Sequence, residues 1–87
     1  STDNPNPGND GRSSGRPFAP LQPARQLLGE KRYREAHAYC RNALEQDPDC
    51  ADAFFVLGII NYEHNQFERA LKLFERALEK GHPEAPR

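Results

Sequence analysis

The sequence has no methionine, no long apolar run and no excess of either charge. Lacking even an initiator residue, the chain reads as processed or as cut from something longer. Its longest unbroken apolar stretch, Ala53 to Leu57, is far below the roughly 20 residues of a membrane-spanning helix. The segment ahead of Phe18 contains no apolar stretch of the kind a secretory signal needs. Lys and Arg number 12 against 13 Asp and Glu, so the basic stripe of a nucleic-acid binder is missing. Neither direct membrane insertion nor nucleic-acid binding is therefore expected. There is no glycine-rich phosphate loop, because Gly8, Gly11 and Gly15 follow no strand pattern. At 87 residues the chain makes one small domain, which buries about 60% of its unfolded surface. A large enclosed active site is not expected in it.

What is present is unevenly spread. Fifteen of the first twenty residues are Ser, Pro, Gly, Asn or Asp, and Phe18 is the only sizeable apolar group among them. Such a segment buries too little surface to offset the entropy of ordering, so residues 1–19 read as a flexible leader. The remainder repeats itself. At an offset of 34, Ala36 meets Ala70, Ala43 meets Ala77, Leu44 meets Leu78, and Tyr33 meets Phe67. This divides the chain into a first unit over 20–50, a second over 51–84, and residues 85–87 as the start of a further helix or a tail.

Within each unit the apolar spacing is helical. Phe67, Ala70, Leu71, Phe74, Ala77 and Leu78 form one stripe of a 3.6-residue helix. Tyr33, Ala36, Cys40, Ala43 and Leu44 repeat it one period earlier. From Ala51 to His64 the chain is apolar nearly all round, as in a helix buried on more than one side. Gly58 in its middle costs about 1 kcal/mol of helix stability relative to Ala, and marks a place where another helix comes close. The gap at Asn65-Gln66 is short enough to set the next helix antiparallel. Asp47-Pro48-Asp49 ends one helix, Asp49 is placed to cap the next, and Asp52 falls in its first turn. Gly81 is a helix stop.

These residues resemble the tetratricopeptide repeat, a 34-residue helix–turn–helix unit. In the second unit Phe54 takes the place of the family's first aromatic, Leu57-Gly58 its Leu-Gly pair, and Phe67, Ala70, Phe74 and Ala77 its second-helix pattern. Asn61 stands at the family's next aromatic place, with Tyr62 one residue late, and His82 at the closing Pro. The first unit matches through Tyr33, Ala36, Ala43 and Pro48. There Cys40 replaces the inner aromatic, and Pro20, Pro23 and Ala24 depart from the first-helix pattern, so that helix is expected to be short, beginning near Leu21 to Pro23. The resemblance implies an all-α fold of about two stacked helix–turn–helix repeats.

It also implies a function. First helices of this family line a concave groove that binds extended or helical peptides. The matching positions are Leu21, Arg25 and Leu28 in the first unit, and Asp52, Phe55, Val56, Ile59, Tyr62 and Glu63 in the second. The groove would be mostly apolar with charged edges, suited to an amphipathic helix or apolar peptide. The alternative is that Phe55, Val56 and Ile59 simply pack within the stack. Arg25 alone does not make the carboxylate clamp that some members use on acidic C-termini. The expected activity is thus protein–protein interaction without catalysis, cofactor or metal. Alternatives are the assembly or targeting arm of a larger enzyme, such as a transferase, or self-assembly through stacked repeats. An uncovered apolar end around Leu71, Phe74 and Leu78 would favour self-association, giving homo-oligomers.

Other constellations are weak. His37 and Cys40 lie three apart on one helix, but nucleophilic catalysis needs an orienting group and an oxyanion site as well. A buried thiol beside an edge histidine is the better reading. Ten residues of mostly helix hold Cys40 and Cys50 beyond the ~7 Å Cα separation a disulfide allows. Two unpaired thiols favour a reducing compartment, and a cytoplasmic location is expected. His37, His64 and His82 lack metal-ligand spacing and read as solvent-exposed or capping.

Overall fold

The computed structural model describes residues 18–85. They form four helices and, among the described residues, no strand: α1 (Gln22–Gly29), α2 (Tyr33–Gln46), α3 (Ala51–Glu63) and α4 (Phe67–Glu79). The fold is all-α, two helix–turn–helix repeats in succession. The repeat period reappears in the helix ends: Gly29 and Glu63 close α1 and α3 one period apart, and Tyr33 and Phe67 open α2 and α4 at the same spacing. Residues 1–17 of the expected leader over 1–19, and residues 86–87 of the expected tail over 85–87, lie outside the described part. Phe18 is half-buried, Pro83 and Glu84 form a turn, and Ala85 is buried.

The first helix is short, as its proline content requires. It begins at Gln22 with Pro23 in its opening turn, where the missing N–H costs nothing. Three helices then stop by the same device. Lys31 (φ 61°), Asn65 (φ 64°) and Gly81 (φ 93°) are left-handed residues just past α1, α3 and α4. Each lets two backbone N–H groups turn back onto otherwise unpaired carbonyls. After α4, Gly81 N–H donates to Leu78 O at 3.0 Å and His82 N–H to Ala77 O at 2.9 Å. Lys31 and Arg32, and one period later Asn65 and Gln66, make the matching bonds after α1 and α3.

The start of α3 differs from the sequence expectation. Cys50, not Asp49, occupies the capping position, and no side chain caps the helix there. Asp49 instead pairs with Lys80 at 2.8 Å, which joins the α2–α3 link to the end of α4.

Helix α3 is the centre of the molecule, packing against α1, α2 and α4. The core gathers Ala24, Ala36, Cys40, Ala53, Val56, Leu57 and Ile60, with Leu21, Leu27, Leu28, Tyr33, Leu44, Cys50 and Leu73 packed against it. Small residues on α1, α2 and α4 let the backbones approach, and larger ones fill the remaining space. At Gly58 the close neighbour is the Phe74 ring of α4: a Cβ there would lie 2.5 Å from Phe74 Cε1. Cys40 is wholly enclosed, and burial pushes its thiol up to about 12, so little nucleophilic thiolate forms. Neither it nor Cys50 is in a disulfide.

The uncovered apolar surface is not quite where the stripe placed it. Leu71 is 57% exposed, but Phe74 and Leu78 are half-buried. The other large apolar residues on this surface are Tyr62 and Phe67, 58% and 55% exposed. The reason is local. Phe74 turns its ring onto Gly58 and Phe55, while the outer edge of α4 has no helix beyond it among the described residues.

Candidate functional site

The sequence assigns nine residues of α1 and α3 and their flanks to a binding face, and the structure divides them. Leu21, Leu28, Phe55 and Ile59 are half-buried, each offering part of its apolar surface to solvent. Tyr62 and Glu63 are exposed at the C-terminal end of α3, and the Tyr62 ring rests edge-on against Phe67 at 5.3 Å. Val56 and Asp52 have no exposed surface at all. Val56 belongs to the core. Asp52 is held in an internal ionic cluster that also uses Arg25.

That cluster is the most polar feature of the interior. Asp52, in the first turn of α3, points inward and accepts four hydrogen bonds. Oδ2 takes the Leu21 backbone N–H at 2.6 Å and Arg25 Nε at 2.8 Å. Oδ1 takes Arg25 Nη2 at 2.6 Å and His82 Nε2 at 2.8 Å. These use about all the acceptor sites a carboxylate has, which is what makes burying the charge tolerable. Burial alone would push the Asp52 carboxyl up. The Arg25 guanidinium, the Leu21 N–H and His82 outweigh it and hold the carboxyl below its usual range. Hydrogen bonding to Asp52 in turn raises Arg25 above the ordinary guanidinium value.

His82 is not a solvent-exposed or capping residue, contrary to the sequence expectation. It is 2% exposed. Its tautomer follows from its neighbours. Glu84 N–H donates to Nδ1 at 2.9 Å, so Nδ1 carries no proton and the proton sits on Nε2, which donates to Asp52. Arg25 Nη2, 3.4 Å from Nε2, is then a second donor and not its partner. The imidazole lies between two rings, stacked on Phe55 at 4.1 Å and met edge-on by Phe18 at 4.5 Å. Both ring nitrogens are occupied, so His82 has no free lone pair with which to take a proton from a substrate. The cluster is a clasp: it ties the residues before α1, α1 itself, α3 and the turn after α4 into one unit.

Sequence reasoning misses His82 and Phe18 as partners because each lies close to a whole repeat away from Asp52 along the chain, beyond the reach of any local pattern. One signal was available: Asp52 is the only charge in the apolar run from Ala51 to Ile60, and a charge in a wholly buried helix needs a partner. Of the remaining candidates, His64 donates from Nδ1 to Ile60 O at 2.8 Å and closes the end of α3, a capping role. Among the described residues no group of His, Cys, Asp or Glu could hold a metal ion, and no helix is long and apolar enough to cross a membrane.

Comparison with known proteins gives one finding. A family model described as tetratricopeptide repeat matches residues 22–87. No curated protein and no solved structure matches the chain.

Proposed function

The chain belongs to the tetratricopeptide repeat family, whose repeats generally mediate protein–protein interaction, and we propose that it is a non-catalytic binding module whose α1–α3 face takes a partner peptide or helix. Family membership carries this reading. Half-exposed Leu21, Leu28, Phe55 and Ile59 are the apolar floor of the groove, with Tyr62 and Glu63 at one end. Val56, Asp52 and Arg25 act behind that floor: Val56 fills the core, and the ion pair fixes α1 against α3. Arg25 pairs with Asp52 and also lies 3.8 Å from the Glu84 carboxylate, so its charge is shared between two carboxylates of the chain itself, which disfavours acidic C-termini as ligands. A mostly apolar face suits an amphipathic helix. The same activity would serve a free scaffold or the targeting arm of a larger enzyme. Unpaired Cys40 and Cys50 favour a reducing compartment such as the cytoplasm.

The test is affinity capture with the chain as bait, comparing wild type with Ile59→Glu. Ile59 is the better probe than Phe55, because Phe55 also supports His82 and Phe74. Ile59→Glu should keep its helical circular dichroism and lose the captured partner. Capture that survives the change in a folded variant rejects the groove.

A further inference from the structure

Two short non-helical segments flank the four helices, and they dock in the same manner. Residues 18–21 precede α1 and residues 82–85 follow α4. Each is seated by its first and last residue and leaves the middle pair exposed. Phe18 and Leu21 are half-buried around exposed Ala19 and Pro20, and His82 and Ala85 are buried around exposed Pro83 and Glu84. Both segments are fastened to one carboxylate. Asp52 Oδ2 accepts the Leu21 N–H at 2.6 Å, and Oδ1 accepts the His82 Nε2–H at 2.8 Å. The segments also touch each other, through the Phe18 ring edge-on to the His82 imidazole at 4.5 Å. Arg25 adds a third tie, with Nη2 at 2.6 Å from Asp52 Oδ1 and 3.8 Å from the Glu84 carboxylate.

We propose that these two segments form a two-way latch, in which release of either one loosens the other. The reason is that each supplies part of the other's seat. The His82 side chain has no exposed surface; Phe55 stacks on it at 4.1 Å, and Phe18 closes another side. With Phe18 displaced, water reaches that side and competes for the Nε2–H that otherwise goes to Asp52. With His82 displaced, Phe18 loses the ring it packs on, and the Leu21 N–H alone holds its segment to Asp52. The link is a contiguous set of contacts, Phe18 to His82 to Asp52 to Leu21, and coupling of this kind is reciprocal. A ligand that draws Phe18 off the fold therefore frees the turn after α4. One that grips residues 82–85 frees the segment before α1. The latch does not depend on what the α1–α3 groove binds.

The test is amide hydrogen exchange, read by NMR on the isotopically labelled full chain under native conditions. Local opening then shows at each amide separately. The His82 N–H is bonded to Ala77 O and the Glu84 N–H to His82 Nδ1, both at 2.9 Å. Phe18→Ala should speed exchange at these two amides roughly tenfold, while Cys40 in the middle of α2 changes far less. Phe18→Tyr, which keeps the ring, should stay near wild type. The reverse direction uses His82→Gln, whose amide can still donate to Asp52 but has no ring for Phe18, and it should speed exchange at Leu21. The latch is overturned if Phe18→Ala leaves His82 and Glu84 unchanged, or if His82→Gln leaves Leu21 unchanged. It is equally overturned if Cys40 accelerates as much as His82, which would make Phe18 a contributor to global stability only, or if Phe18→Tyr behaves like Phe18→Ala.

Discussion

Replacing Asp52 by Ala should bring the chain to the edge of unfolding. Asp52 accepts four hydrogen bonds and is 0% exposed. Its removal strands the His82 Nε2–H, a buried donor whose loss of partner costs about 1–3 kcal/mol, and the part-buried Leu21 N–H, whose lost bond costs about 0.5–1.5 kcal/mol. Arg25 adds less, since its side chain is 33% exposed and water can take over its bonds, at about 0–1 kcal/mol. Ala returns no helix stability here, because Asp52 lies in the first turn of α3, where a negative charge is itself favoured. The net loss is about 1.5–5.5 kcal/mol, overlapping the range found when one partner of a buried pair is deleted. A folded unit of this size has roughly 3–10 kcal/mol in total. Urea denaturation followed by circular dichroism measures the change directly, and Arg25→Met in the same experiment should lose a comparable amount, because it leaves the Asp52 carboxylate buried without its cation. A loss below about 1 kcal/mol for Asp52→Ala would refute the clasp. So would losses that simply add in the Asp52→Ala/Arg25→Met double variant, since groups sharing one network must couple.

Two further predictions concern the backbone and pH. Lys31 holds a left-handed backbone at φ 61° where its counterpart after α4, Gly81, has no side chain to strain, so Lys31→Gly should raise the urea midpoint by about 0.5–1 kcal/mol equivalent; Asn65→Gly should gain less, because Asn tolerates that conformation. Because Asp52 is held below the ordinary carboxylate value in the folded state, its stabilisation is complete above about pH 4, the unfolded value. It is lost as pH falls through the depressed folded value. An acid titration of stability should therefore steepen below about pH 4 in wild type, and Asp52→Asn should remove that component.

The helices, their period and the stops of α2, α3 and α4 were legible in the sequence because they rest on local rules, whereas the left-handed Lys31 that ends α1 carries no such signal. The 34-residue offset, the α2 and α4 stripes, the proline-shortened α1 and the Gly81 stop each depend on residues a few places apart. The close approach at Gly58 was legible too, since a glycine in an apolar helix has few other reasons to be there. The binding face was only partly legible. Helix α3 is apolar on nearly every side, so its periodicity does not separate the residues that face solvent from those, like Val56, that face α1 and α2. Position in the repeat placed Asp52 and Arg25 on the groove, but side-chain direction turned them inward toward each other.

By itself, then, the sequence determined an all-α chain of two helix–turn–helix units, through spacing and turn chemistry that act over less than one period. Tertiary structure alone decided how the charges pair and which apolar edge stays open. Arg25, Asp52 and His82 stand 27 and 30 residues apart and meet only when α1, α3 and the turn after α4 are stacked. Tyr62, Phe67 and Leu71 are exposed for the complementary reason. The stack that covers their counterparts one period earlier has, among the described residues, no helix in the next position.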